Sequence, residues 1–467
     1  MRVTTAFSRL LDLPGVWVTK VRFEPRRVVV WVALRRERLC CPKCSYSTMA
    51  RENEQHHDSV WRAVDLGVWR IEVRCRLRRL RCPEHGVHVE GVPFARDGAR
   101  FTRDFEDVCA WLLTKTDRTA TCRLLRIDWE TVARIIKRVG EELLPADRLN
   151  DLFNISMDEV AWRKGHEYLT LIGDHNQGCV AWGTNGKGQA AADRFFAALD
   201  PAPSPSPNRP PRQATLPDPA IMVPFGPCPT VPAGHGIPGA WLQPGLELEP
   251  ALFARAGRLR AVSMDMTGGY AKSVRQHAPQ ATIVIDNYHV VQLATKALDE
   301  VRREHWNELR RSGQADKASQ FKRDRWALLK NPDELTDHQA AVLAHIRQGG
   351  GKLARAWAMK EMVREIFAPG LTVEQVSQLL DRILARLARC RLQPFVTLGR
   401  TIRKHRKGIL AARRLKLSNA RAEALNNKAK LIIRRAYGFH TARAALALIL
   451  LACGPVTLTL PHDRFGV

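Results

Sequence analysis

No stretch of this chain is apolar for long enough to cross a bilayer. The longest uninterrupted run, Ala444 to Cys453, is ten residues, against roughly 20 for a spanning helix. The N-terminus, MRVTTAFSRLLDLPGVWV, lacks a continuous apolar core followed by a small-residue cleavage site, so no secretory signal is expected. Acids are scarce: Asp+Glu number 47 against 74 Lys+Arg, a formal charge of +27. A field of that sign draws polyanions. Without a membrane segment, the expected polyanion is nucleic acid rather than an acidic lipid surface. Internal repeats are also lacking. The 11 cysteines are odd in number and mostly scattered, which speaks against a disulfide framework and for a reducing cytoplasm.

What is present suggests several units. At 467 residues, 45% of them hydrophobic, the chain has material for more than one core. Prolines concentrate in one place: fifteen of 27 fall within residues 201–250. Proline fixes φ and removes the amide donor, so this stretch predicts an extended surface loop. Before it, DLFNISMDEVAW and HEYLTLIGDHNQGCVAWGTNG read as strands and AADRFFAALD as a helix. After it come the strand RLRAVSMD, the helix GGYAKSVRQHAP and the strand ATIVID. That order predicts a mixed α/β sheet. From about 290 to 417 the pattern is helical and charged, and from Ser418 a helix precedes the apolar run.

Two short motifs point to a metal. Cys41-Pro-Lys-Cys44 and Cys82-Pro-Glu-His85 each set two soft ligands on a tight turn, and together they predict a closed, structural Cys3His zinc site. Cys40 and His88 are the lesser alternatives. Between the motifs WRIEVRCRLRRLR alternates like a strand and carries six arginines, one face of which could follow a phosphate backbone. Downstream, the helical FTRDFEDVCAWLLTKT and RTATCRLLRI precede Asp128, a candidate N-cap for WETVARIIKRVG. The short connection predicts a helix-turn-helix whose last helix exposes Arg134, Lys137 and Arg138 to a DNA groove.

Three acids stand where phosphoryl-transfer chemistry would want them. Asp158 is expected to end the first strand and Asp265 the first strand after the proline-rich stretch, while Glu423 lies in the late helix SNARAEALNNKAKLIIRR. There Glu423, Asn426, Asn427, Lys430 and Arg434 follow helical spacing on one face, opposite Leu425, Ala429, Ile432 and Ile433. Three such carboxylates would hold two divalent cations, Mg2+ or Mn2+, for in-line attack on a phosphodiester. Asp286 competes with Asp265, since it too ends a strand. Eight Lys/Arg and no acid lie between Arg400 and Lys416, including Arg403, Lys404, Arg406 and Lys407; ahead of the late helix they could grip phosphates. Trp162 and Trp306 are candidates for stacking on an unstacked base near the cut, with core packing the ordinary reading for Trp162.

The blocks CPKC, RCPEHGVHVEGVPFA, MDEVAWRKGHEYLTLI, VSMDMTGGYAKSVRQHAPQATIVIDNYHVVQLATKALDEVRRE and SNARAEALNNKAKLIIRRAYGF resemble the ISL-three-type family of bacterial insertion-sequence transposases over most of the chain. The resemblance implies a zinc-binding domain over residues 1–95 and a helix-turn-helix domain over 96–148. It further implies an RNase H-like DDE domain over 149–290 (with the proline-rich loop at 200–256) and 418–467, interrupted by an α-helical insertion over 291–417. Asp158, Asp265 and Glu423 match the catalytic positions. Asp286 and His289 resemble a [C/D]-x-x-H motif with a structural or DNA-positioning role. The implied activity is Mg-dependent cutting and joining of transposon ends by a dimer or larger assembly on DNA, in the bacterial cytoplasm at the nucleoid. The alternatives are a sequence-specific DNA-binding regulator with an inactive RNase H-like domain, and an RNase H-like nuclease of repair or RNA processing.

Overall fold

The computed structural model describes residues 1–52, 58–200, 255–266, 268–417 and 420–465. The proline-rich stretch expected to form a loop therefore lies outside the described residues. The chain opens with helix α1 (Val3–Leu11), strands β1 (Val16–Glu24) and β2 (Arg27–Leu34), and a short hairpin, β3 (Leu39–Cys40) and β4 (Ser47–Thr48). Strands β5 (Ser59–Arg62) and β6 (Arg70–Cys75) follow, then a second hairpin, β7 (Arg79–Cys82) and β8 (Gly86–Val89). The larger strands form a sheet in the order β1-β2-β6-β5. The arginine-rich alternation is realised in β6, where Ile71, Val73 and Cys75 turn inward between Arg70, Glu72 and Arg74.

Three helices come next: α2 (Arg103–Lys115), α3 (Arg118–Leu125) and α4 (Trp129–Leu143). Each begins where a side-chain oxygen satisfies an otherwise orphaned amide, at Thr102, Asp117 and Asp128. Asp128 is the cap the sequence predicts; its carboxylate accepts from the Thr131 amide at 2.7 Å.

The central sheet has the order β11-β10-β9-β12-β13. Strands β9 (Asn154–Arg163), β10 (Glu167–Asp174) and β11 (Cys179–Asn185) form an antiparallel meander, followed by α5 (Gln189–Leu199). Strands β12 (Ala261–Met264) and β13 (Thr282–Ile285), separated by α6 (Gly268–His277), run parallel to β9. The element order thus follows the sequence reading. Then come α7 (Asn287–Arg311), α8 (Ala315–Arg323), α9 (Trp326–Leu329), α10 (Asp337–Gly349), α11 (Gly351–Glu365), α12 (Val373–Arg389) and α13 (Gln393–Leu415). Helices α14 (Ala420–Arg435) and α15 (Ala442–Cys453) return to the sheet. No helix among the described residues is long and apolar enough to cross a membrane.

Both faces of the sheet are buried. Ile155, Met157, Val262, Met264 and Ile285 pack toward α5, α6 and α7. On the other face Val160, Trp162, Leu169 and Val180 share one core with α2, α4, α14 and α15, so the three-helix bundle is fused to the sheet rather than tethered to it. Two glycines permit close approach of helices to the sheet. A Cβ at Gly183 would lie 2.7 Å from Leu446 of α15, and one at Gly408 of α13 would lie 2.6 Å from Ile285 of β13.

Candidate active site

Parallel pairing brings distant aspartates into line. Met157 pairs with Met264, and Met264 with Ile285. The next residues, Asp158, Asp265 and Asp286, therefore occupy one register position on three adjacent strands. Strand alternation puts all three on the same face. One expectation needs correcting: Asp158 does not end its strand. β9 continues to Arg163 because its hairpin with β10 outlasts the four-residue β12. Asp158 sits where parallel pairing stops. Asp265 and Asp286 do follow their strands' last residues. Asp286 also caps α7, accepting from the Tyr288 amide at 3.0 Å, and His289 Nε2 lies 3.6 Å from its Oδ2.

Asp158 is held tightly. Its Oδ1 accepts from the Glu159 amide at 2.7 Å, and its Oδ2 accepts from the side-chain amide of Asn426. Burial pushes the Asp158 carboxyl above the usual aspartate range, opposed by the Glu159 amide and His289; Asp265 pushes it further and Lys430 pulls it back. The charge of Asp265 is felt by His405 of α13. Burial, Lys404 and Arg275 lower that histidine, while Asp265 raises it.

Helix α14 is the second correction. The sequence groups Asn426 with Glu423, Asn427, Lys430 and Arg434 on one polar face. In the structure Asn426 is buried beside Ala422, Ala429, Ile432 and Ile433, while the other four are exposed. The helix packs on β9, and Asn426 is the polar residue of that packed face because Asp158 supplies its partner. Glu423 occupies the first turn of α14, one turn before Asn426, and is exposed; among the described residues its carboxylate does not join Asp158 and Asp265 in a metal-holding group. The contact between Asn426 and Asp158 is not evident from spacing; its only signal is the three-residue step from Glu423. Also unforeseen is Tyr270 of α6, fully buried behind the aspartate row. Its hydroxyl donates to Glu159 Oε1 at 3.0 Å and lies 2.9 Å from Thr170 Oγ1.

The Cys/His motifs converge as their spacing predicts. Ligand atoms of Cys41, Cys44, Cys82 and His85 all lie within 4.8 Å of one another and could hold a metal ion; among the described residues no other group of three or more His, Cys, Asp or Glu does so. Cys44 Sγ is 3.6 Å from Cys82 Sγ, and Cys82 Sγ 3.5 Å from His85 Nδ1. Ligands about 2.1–2.3 Å from a tetrahedral zinc stand about this far apart. The two hairpins β3–β4 and β7–β8 make the knuckles, with the Lys43 amide turned toward Cys41 Sγ. Cys40 and His88 lie outside the group.

The basic residues differ in exposure. On α4, Arg134 and Lys137 are exposed, with Arg134 donating to Thr131 Oγ1 at 3.2 Å and Lys137 lying 3.9 Å from Glu141. Arg138 is not exposed as expected: it ion-pairs with Glu106, whose fully buried carboxylate is shared with Arg96. A buried acid in the bundle needs that partner, and one helical turn of α4 supplies it. On α13, Arg403, Lys404 and Lys407 are exposed, whereas Arg406 bonds Ser377 at 2.7 Å and Asp381 at 2.9 Å. Lys430 and Arg434 of α14 are exposed. Trp162 is core, as the ordinary reading has it. Trp306 is not near the aspartate row: it lies 20 residues along α7 from Asp286, about 30 Å at 1.5 Å per residue.

Comparison with known proteins gives the family. A family model described as a transposase matches residues 248–449, and one described as the helix-turn-helix domain of transposase family ISL3 matches residues 90–140. The chain is similar to the transposase for insertion sequence element IS1557 of Mycobacterium tuberculosis, in strains CDC 1551 / Oshkosh and ATCC 25618 / H37Rv. Each is 32% identical over 460 residues, covering 94% of this chain and 89% of the relative. It is also similar to the transposase for insertion sequence element IS1001 of Bordetella parapertussis, 25% identical over 443 residues, 92% of this chain and 95% of the relative.

Proposed function

Because the chain belongs to the ISL3 family of insertion-sequence transposases, we propose that it cuts transposon ends to free 3′-OH groups and joins them to target DNA by direct transesterification. The observation that carries this reading is the line of Asp158, Asp265 and Asp286 across β9, β12 and β13, with α14 laid over its end through Asn426. The sheet order, three antiparallel strands followed by two parallel to the first, supports an RNase H-like domain.

The donors suit magnesium or manganese. They are carboxylate oxygens on one face, and the Asp158–Asp265 pair carries mutual repulsion that a divalent cation would relieve. Asp158, Asp265 and Glu423 would hold two such ions, which supply an activated attacking oxygen and a stabilised leaving oxygen. Asn426 fixes the Asp158 carboxylate, and the Asp286–His289 pair positions the start of α7 beside it. Arg403, Lys404, Lys407, Lys430 and Arg434 neutralise phosphates of the end being cut. Residues 1–145 bind the terminal inverted repeats: Cys41, Cys44, Cys82 and His85 hold a structural zinc, and Arg134 and Lys137 lead α4 into a groove. Pairing two ends requires at least two protomers on DNA, in the cytoplasm. No protein–DNA covalent intermediate is involved.

The test is a strand-transfer assay with the element's own ends, a supercoiled target and Mg2+. Joined products from wild type that vanish in Asp265→Asn support the reading. End binding without cutting by either form would replace it with a DNA-binding regulator.

A further inference from the structure

Beyond the aspartate row, α7 carries a second concentration of positive charge. Around Trp306 the side of α7 and the α8–α9 turn enclose a cleft of about 390 Å³ lined by Asp299, Arg302, Arg303, Lys322 and Arg325. Asp299 is its one lining carboxylate, and it is shared by Arg302 and Arg303 at 2.7 Å each. Among the described residues the remaining cations contact aromatic rings rather than acids. Lys322 lies 5.9 Å from the Trp306 ring centroid, which Arg310, outside the lining, approaches at 4.9 Å, and Arg325 lies 5.0 Å from that of Trp326.

Rings hold these cations in place without neutralising them. Lysines and arginines on an ordinary solvated helix are interleaved with acids at helical spacing. Here two lining cations, Lys322 and Arg325, share one concavity with Arg302 and Arg303 and pair with no acid among the described residues, so the cleft is complementary to an anion with several charges. Trp306 is already engaged by two cations, so it orients charge rather than offering its ring to a base.

We infer that this cleft is a second DNA contact, taking the phosphate backbone of duplex DNA far from the reacting bond. The inference rests on the DNA-joining reading above. About 30 Å separate Trp306 from Asp286 along α7, and duplex DNA rises about 3.4 Å per base pair. Only DNA extending about nine or more base pairs beyond the reacting phosphate reaches the cleft. Its effect is to make end binding depend on DNA length on one side of the cut.

The experiment compares full-length wild type with a Lys322→Ala/Arg325→Ala double variant. Each is given end duplexes whose arm on either side of the cleavage position is about twenty or about six base pairs, lengths that bracket the expected reach. Affinity is measured across a salt series and strand transfer is followed in parallel. Wild type should bind the long duplex more tightly than one of the trimmed ones. The double variant should bind both equally, with a log–log salt slope lower by about 2, one for each phosphate it no longer neutralises. A charge-keeping Lys322→Arg/Arg325→Lys variant should recover slope and length response, which separates a missing charge from a folding defect. A double variant that matches wild type in both readouts overturns the inference while leaving the transposase reading intact. A wild type that neither binds nor cuts any end removes both.

Discussion

The protein has two candidate ligand sets of opposite construction. In the Cys/His set, four ligands arrive from two short hairpins and converge within 4.8 Å. In the carboxylate set, three aspartates come from three strands and Glu423 from the exposed first turn of a helix. The first is a compact cluster that could hold a metal ion and whose shape belongs to local turns. The second is drawn from elements far apart in the chain, and Asp158 leans on the Asn426 amide; under the proposed function it would have to stay open to admit a phosphodiester. A structural metal site can be complete in itself. A reacting one must leave room and therefore carries unrelieved charge.

The largest effect that would sharpen this contrast is metal removal. Structural zinc contributes about 10 kcal/mol or more of binding free energy. Zinc chelation, or Cys41→Ser with Cys82→Ser, should raise amide exchange throughout β3, β4, β7 and β8 while β9–β13 keep their protection. Equal protection in both regions after chelation would break the comparison. Removing Mg2+ should leave exchange in both regions unchanged and abolish joining.

Next in size is Asp265→Asn, which should lower strand joining by about a thousandfold, roughly 4 kcal/mol of transition-state stabilisation, with end binding intact in a gel-shift assay. Smaller, and directed at folding, is Arg138→Ala. It leaves Glu106 buried with Arg96 as its one close cation and should cost about 3 kcal/mol in denaturant melts. Arg134→Ala, at an exposed position on the same helix, should leave stability unchanged and weaken DNA binding.

The smallest expected effect concerns Asp158. Its folded pKa lies above the ordinary 3.8, so the ionised form opposes folding. Between 3.8 and that raised value the folded state binds the proton more tightly. Lowering the pH through this window without divalent ions should therefore raise the Tm, and raising it should lower the Tm. Asp158→Asn should melt higher than wild type at neutral pH and lose that slope, while its joining activity disappears. A variant that melts lower would show that the Asn426 contact outweighs the buried charge.

Much of the molecule is legible in the chain. CPKC and CPEH specify their site because two-residue turns aim ligands locally. Asp128 caps α4 because an aspartate before an amphipathic run satisfies orphaned amides. The succession of strands and helices around β9–β13 follows from periodicity. The register of Asp158, Asp265 and Asp286 does not, since over 100 residues separate the first from the others and pairing is settled between strands. Nor could helical spacing tell that Asn426 would turn inward, that Arg138 would pair with Glu106, or that α7 would carry Trp306 away from the aspartates. Turns, caps and periodicities are decided by neighbours a few bonds away, so sequence alone determined them. Which polar group is buried depends on the partner that packing brings from elsewhere in the chain, and tertiary structure decided that.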